Sequence, residues 1–169
     1  MGFRDTSLLC KIVLILLVLC FCIDLIGFAI PYWITEDGIN SKTNIGLWMY
    51  CTETNQYKIC SPVIDRDLPD WFRAVRAFSI VSWVFFLMAL VLVIIFAFFK
   101  SEKKALYVGA VCPSFTGAFC ALIAFAVFAG EAKLNEYPAC FALTIISFIL
   151  GLIIGILGIL DCLGVVGGK

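Results

Sequence analysis

The chain contains no histidine and little charge, its 12 basic and 12 acidic residues cancelling to zero net charge. The missing imidazole removes the commonest general base and the commonest metal ligand, and with them most hydrolase and metalloenzyme readings. A balanced charge offers no footing to a nucleic acid and no strong electrostatic anchor to a membrane surface. No nucleophile paired with a base, no metal-ligand cluster and no glycine-rich phosphate cradle can be picked out, so no enzyme activity, metal or cofactor is expected. Internal repeats, low-complexity linkers and Asn-x-Ser/Thr sequons are absent too, which points to one domain over 1–169 without N-glycosylation.

What the sequence has in abundance is hydrocarbon. Sixty-three per cent of its 169 residues are hydrophobic and the mean hydropathy is +1.10, far outside the soluble globular range, so the lipid bilayer is the first partner. Apolar runs at about 8–30, 77–99, 106–129 and 139–160 are each long enough to cross ~30 Å of hydrocarbon as a helix. The first run also invites a signal-peptide reading through Arg4 and Lys11. It is too long for a signal core and lacks a small-x-small cleavage site, so an uncleaved span is expected. Lys100, Lys103 and Lys104 crowd the connection between the second and third spans, whereas the long first loop, about 31–72, carries more acids than bases. That asymmetry predicts cytoplasmic termini, with the first loop and the short one at about 130–138 outside.

Within the long loop, Tyr32 to Thr35, Ile45 to Thr52 and Gln56 to Cys60 are rich in aromatic and β-branched residues. Glu36-Asp37-Gly38 and Glu53-Thr54-Asn55 punctuate them as turns, predicting a small antiparallel sheet. Trp71 and Phe72, ahead of the second span, are placed at the bilayer interface. Of nine cysteines, Cys10, Cys20, Cys22, Cys112, Cys120 and Cys162 lie in or beside apolar runs and Cys140 opens the last one. Cys51 and Cys60 share a polar loop, as a single structural disulfide on the oxidising side of a membrane would.

Other residues carry a structural and a functional reading side by side. Gly151, Gly155 and Gly158 form a small-residue stripe that suits close helix packing, either inside the bundle or between copies of the chain. Pro113 lacks a backbone donor inside the third span and reads as a structural kink. Asp24 is an intramembrane charge ~10 Å below the outer boundary at Pro31, and such a residue suggests a partner or a water-linked site. Arg76 is one partner within its reach; a protonated or water-linked aspartate and a transport role are the others. Glu53, Asp65, Asp67 and Asp70 make either a solvated face or a charge-selective, partner-contacting surface. Cys162, just past the last span, is an interfacial thiol or an S-palmitoylation site.

Trp33 soon after the first span, then Gly46-Leu47-Trp48, two further residues and Cys51, then Cys60, then Arg76-Ala77 entering the second span, follow in one order. This pattern resembles the claudin, peripheral myelin protein and epithelial membrane protein superfamily. The resemblance implies an all-α, left-handed membrane four-helix bundle with an extracellular antiparallel sheet from the first loop. It also implies a Cys51–Cys60 disulfide joining adjacent strands, and Trp33, Gly46, Leu47 and Trp48 anchoring the sheet at the membrane surface near Arg76. The function it implies first is a claudin-like adhesion and paracellular barrier role at tight junctions of the plasma membrane, through lateral and trans homo- or hetero-oligomerisation. A peripheral-myelin-like or epithelial-membrane-protein-like organiser and an auxiliary channel subunit are the alternatives. The first loop is shorter than in typical claudins, and the ending Gly167-Gly168-Lys169 offers no PDZ ligand.

Overall fold

The computed structural model describes residues 6–63, 68–99, 104–132 and 139–164. The element order is α1 (Leu8–Ala29), β1 (Ile34–Asp37), β2 (Ser41–Ile45), β3 (Met49–Thr54), β4 (Lys58–Pro62), α2 (Asp70–Phe99), α3 (Lys104–Glu131) and α4 (Ala139–Leu163). All four helices are long and apolar enough to cross a membrane.

Local chemistry sets the helix ends. Ser7 caps α1, its side chain accepting from the Cys10 N–H at 3.0 Å. At the other end Ile30 is extended, as the residue before a proline tends to be, and α1 stops. The Pro69 carbonyl accepts from the N–H groups of Phe72 and Arg73, and Asp70 lies in the first turn of α2, where a carboxylate meets the positive end of the helix dipole. Helix α2 therefore starts well before residue 77, where the apolar run was expected to begin. Pro113 lies inside α3 without ending it.

The helices pack in a ring in chain order, with α1 closing onto α4 and, less extensively, onto α2. Three buried layers fill the ring. Val13, Leu17 and Cys20 of α1 meet Phe86, Ala89 and Val93 of α2, Ala118 of α3 and Ile154 of α4 in the middle. Trp33, Leu47, Phe72, Val75, Phe128, Cys140 and Phe141 close one end. Cys10, Ala97, Tyr107 and Val111 close the other, with Cys162 packed beside them.

The glycine stripe faces inward. A Cβ at Gly151 would meet Ala118 Cβ and the Phe86 ring at 2.9 Å, one at Gly155 would enter the Phe115 ring, and one at Gly158 would enter the Val111 side chain. These contacts lie within the bundle, between α4 and α3, with the Phe86 ring of α2 reaching Gly151.

The four strands form an antiparallel meander in the order β1-β2-β3-β4. Two hairpin tips, at 38–40 and 55–57, lie at the end of the sheet away from the bundle, fastened by Gly38 N–H to Ser41 O (2.7 Å) and Thr54 N–H to Tyr57 O (2.9 Å). The apolar stretch Ile45 to Thr52, expected to run as one strand, is broken: Gly46-Leu47-Trp48 is the turn between β2 and β3.

Candidate functional site

The candidate site is the seat of the sheet on the bundle, because the residues of the sequence motif converge there. Trp33 is fully buried, and its indole N–H donates to the Gly27 carbonyl at 2.9 Å. That bond satisfies an acceptor in the last turn of α1, where carbonyls have no helical partner. Its ring meets Phe128 of α3 edge-on at 5.1 Å, and its backbone N–H bonds Ile45 O at 2.9 Å. One residue thus joins α1, α3 and β2. Trp33 and Leu47 sit inside the mouth of the bundle, and Phe72, expected at the bilayer interface, joins them in the buried layer while Trp71 packs edge-on against Phe72 and Phe128.

The Gly46-Leu47-Trp48 turn lies directly on the end of α1. A Cβ at Gly46 would overlap the Pro31 Cα and stand 3.0 Å from the Ile30 carbonyl oxygen, so only glycine lets the two backbones meet here. Leu47 points into the core and is fully buried. Trp48 packs edge-on against Phe28 at 5.1 Å and presents its face to Arg76, whose guanidinium carbon lies 5.0 Å from the ring centroid.

Arg76 is 7% exposed. Its Nε donates to the Leu47 carbonyl and its Nη2 to the Val63 carbonyl at 3.4 Å. A buried guanidinium needs acceptors, and the carbonyls of a strand turn that no ladder uses supply them. One side chain of α2 therefore holds both the β2–β3 turn and the exit of β4. Among the described residues no ion pair forms between Arg76 and Asp24, so that pairing, one of those within reach in the sequence, is not made. Sequence reasoning had the donor and missed its acceptors, since backbone carbonyls leave no residue-type signal.

Cys51 of β3 and Cys60 of β4 are direct register partners, 4.1 Å apart at Cα and joined as a disulfide. The remaining seven cysteines form no disulfide. Two of the four candidate acids are described and both have a partner: Glu53 lies 3.5 Å from Lys58 and Asp70 lies 3.4 Å from Arg73; Asp37 pairs likewise with Lys42 at 3.6 Å. These pairs are exposed and contribute little to stability, but they cancel local charge. Asp65 and Asp67 lie outside the described residues, as does most of the 130–138 loop.

Asp24 is 7% exposed in α1 and lines a small cavity on the bundle axis with Ser79 and Ser82 of α2 and Thr144 of α4. At the opposite end of the bundle, Ser7 donates to Asp161 Oδ2 at 2.8 Å, tying the start of α1 to the end of α4.

These features define a class, a multi-pass membrane protein in which a disulfide-pinned four-stranded sheet is seated on a bundle of four spans. The sequence matches the PMP-22/EMP/MP20/Claudin family over residues 6–158, and the chain belongs to that family. It is 32% identical over 133 residues to epithelial membrane protein 1 of Rattus norvegicus, covering 74% of this chain and 79% of that one. Identity to epithelial membrane protein 1 of Mus musculus is 30% over 133 residues, with the same coverage.

Proposed function

We propose that the protein is a structural organiser of the plasma membrane, a four-span scaffold that gathers related four-span proteins around it, with both termini cytoplasmic and the sheet outside. The charge pairing on the sheet carries this reading. A selective paracellular pore needs lining charges free to act on passing ions, whereas Glu53 on the sheet lies 3.5 Å from Lys58 and Asp70, at the start of α2 beside it, lies 3.4 Å from Arg73. The similarity to epithelial membrane protein 1 supports the same choice between the branches of the family. A Cys51–Cys60 disulfide persists only in an oxidising compartment, which supports an outward-facing sheet.

The sheet offers a partner exposed apolar side chains among paired charges. Ile39 at one hairpin tip, Tyr57 at the other and Ile59 on β4 are exposed. Apolar side chains displayed on an otherwise polar sheet suit contact with another protein. The acting surface is thus the sheet's far end, and the motif residues beneath it hold it in place.

The rival is a claudin-like barrier. Expression in cells without endogenous junctional strands, followed by freeze-fracture imaging and transepithelial resistance, separates the two. The organiser reading expects a diffuse surface distribution and unchanged resistance; continuous strands at contacts with altered ion permeability would replace it with the barrier reading.

A further inference from the structure

We propose that the cavity at Asp24 is a binding site for one monovalent cation of sodium's size, held on the axis of the bundle. Asp24, Ser79, Ser82 and Thr144 bring oxygens to this cavity from α1, α2 and α4, between aromatic walls from Phe28 and Trp33. Asp24 Oδ2 and Ser79 Oγ are buried with no hydrogen-bond partner among the described residues. An unsatisfied carboxylate oxygen at this depth is costly unless something occupies the space beside it.

The donor inventory narrows what that occupant is. Ser82 donates its hydroxyl hydrogen to the Gly117 carbonyl at 3.0 Å and Thr144 donates to the Cys140 carbonyl at 2.9 Å, so each has only lone pairs left for the cavity. The Trp33 N–H is spent on Gly27. The lining is therefore rich in acceptors, the Ser79 hydroxyl hydrogen being its one uncommitted donor among the described residues, and its oxygens are the ligand type that hard cations prefer.

Charge and size select among cations. No lysine or arginine lines the cavity, and Arg76, the cation of α2 nearest to it in sequence, is turned to the carbonyls of Leu47 and Val63. One carboxylate balances one positive charge, whereas a divalent ion would leave an excess in a low-dielectric interior. The space amounts to about 10 Å³, room for a single water-sized occupant. The sequence offered no sign of a metal because three of the four ligands are hydroxyls.

Thermal unfolding of the full chain in lipid nanodiscs, at equal ionic strength in sodium, potassium or choline chloride, tests the site. A bound ion stabilises by mass action, so sodium at ten times its dissociation constant shifts the folding equilibrium about elevenfold. The wild type should show a sodium-specific rise in midpoint that Asp24→Asn abolishes. Ser79→Ala keeps the charge and should bind more weakly, which preserves the test if Asp24→Asn does not fold. Broadening of the ²³Na resonance by the wild type and its absence with Asp24→Asn would support the site directly. Equal midpoints in all three salts would overturn it, leaving a water as the occupant, and so would a salt effect that survives in Asp24→Asn.

Discussion

Replacing Gly46 by alanine isolates one steric contact. Gly46 has no positive φ that would itself oppose a side chain. Its added methyl group would overlap Pro31 Cα and crowd the Ile30 carbonyl, and neither is the end of a side chain that can swing away. The sheet must lift from α1 or the turn must distort. Overpacking of this kind costs about 1–3 kcal/mol, which for a chain of this size lowers the unfolding midpoint by roughly 2–12 °C. Gly109→Ala is the matched control, because a Cβ there meets nothing within 4 Å and alanine is favoured over glycine inside a helix by about 0.5–1 kcal/mol. Thermal unfolding of both variants in nanodiscs, followed by circular dichroism, should show a lower midpoint for Gly46→Ala and an unchanged or higher one for Gly109→Ala. A Gly46→Ala protein as stable as the wild type would refute the close seating of the turn on α1.

Other perturbations test separate parts of the account. Cys51→Ser opens a loop spanning nine positions, worth about 2–3 kcal/mol in the chain-entropy view, and leaves Cys60 unpaired. The variant should be retained before the cell surface, and normal delivery measured by surface biotinylation would count against a structural disulfide. Gly155→Leu pushes into the Phe115 ring and should lower the unfolding midpoint of the protein at any concentration; loss of self-association with unchanged stability would instead assign the stripe to an interface between copies. Glu53→Gln and Asp70→Asn each release an exposed pair that contributes little to stability. Both should fold normally and leave sodium-over-chloride permeability of an expressing monolayer unchanged, while a selectivity change would point to a lining role.

The membrane class and the four spans were legible because uninterrupted apolar runs of that length have few other uses. The cysteine pair was legible because Cys51 and Cys60 stand apart from the seven that lie in apolar surroundings. Less visible were features set by tertiary contact. Ile45 to Thr52 has the composition of a continuous strand, yet the backbone turns at Gly46 where it meets Pro31. The start of α2 at Asp70 was hidden because Trp71 and Phe72 read as an interfacial belt, although Phe72 is in fact buried under the sheet. Trp33 shows the same limit: an indole suits a lipid interface, and nothing local reveals that its N–H reaches back to Gly27. Arg76 stood as one of three readings for Asp24 because charge pairs can be read from residue types and carbonyl acceptors cannot.

The central claim is that Arg76, reaching from α2 to the carbonyls of Leu47 and Val63, locks the sheet onto the bundle. Hydrogen exchange followed by mass spectrometry, comparing wild type with Arg76→Gln in nanodiscs, measures this directly. The amides of Trp33, Gly46 and Val63, which bond to Ile45, Met49 and Trp48 at the bundle end of the sheet, should lose protection in the variant while the middle of α2 and α3 keeps it. Unchanged protection at those three amides would contradict the account.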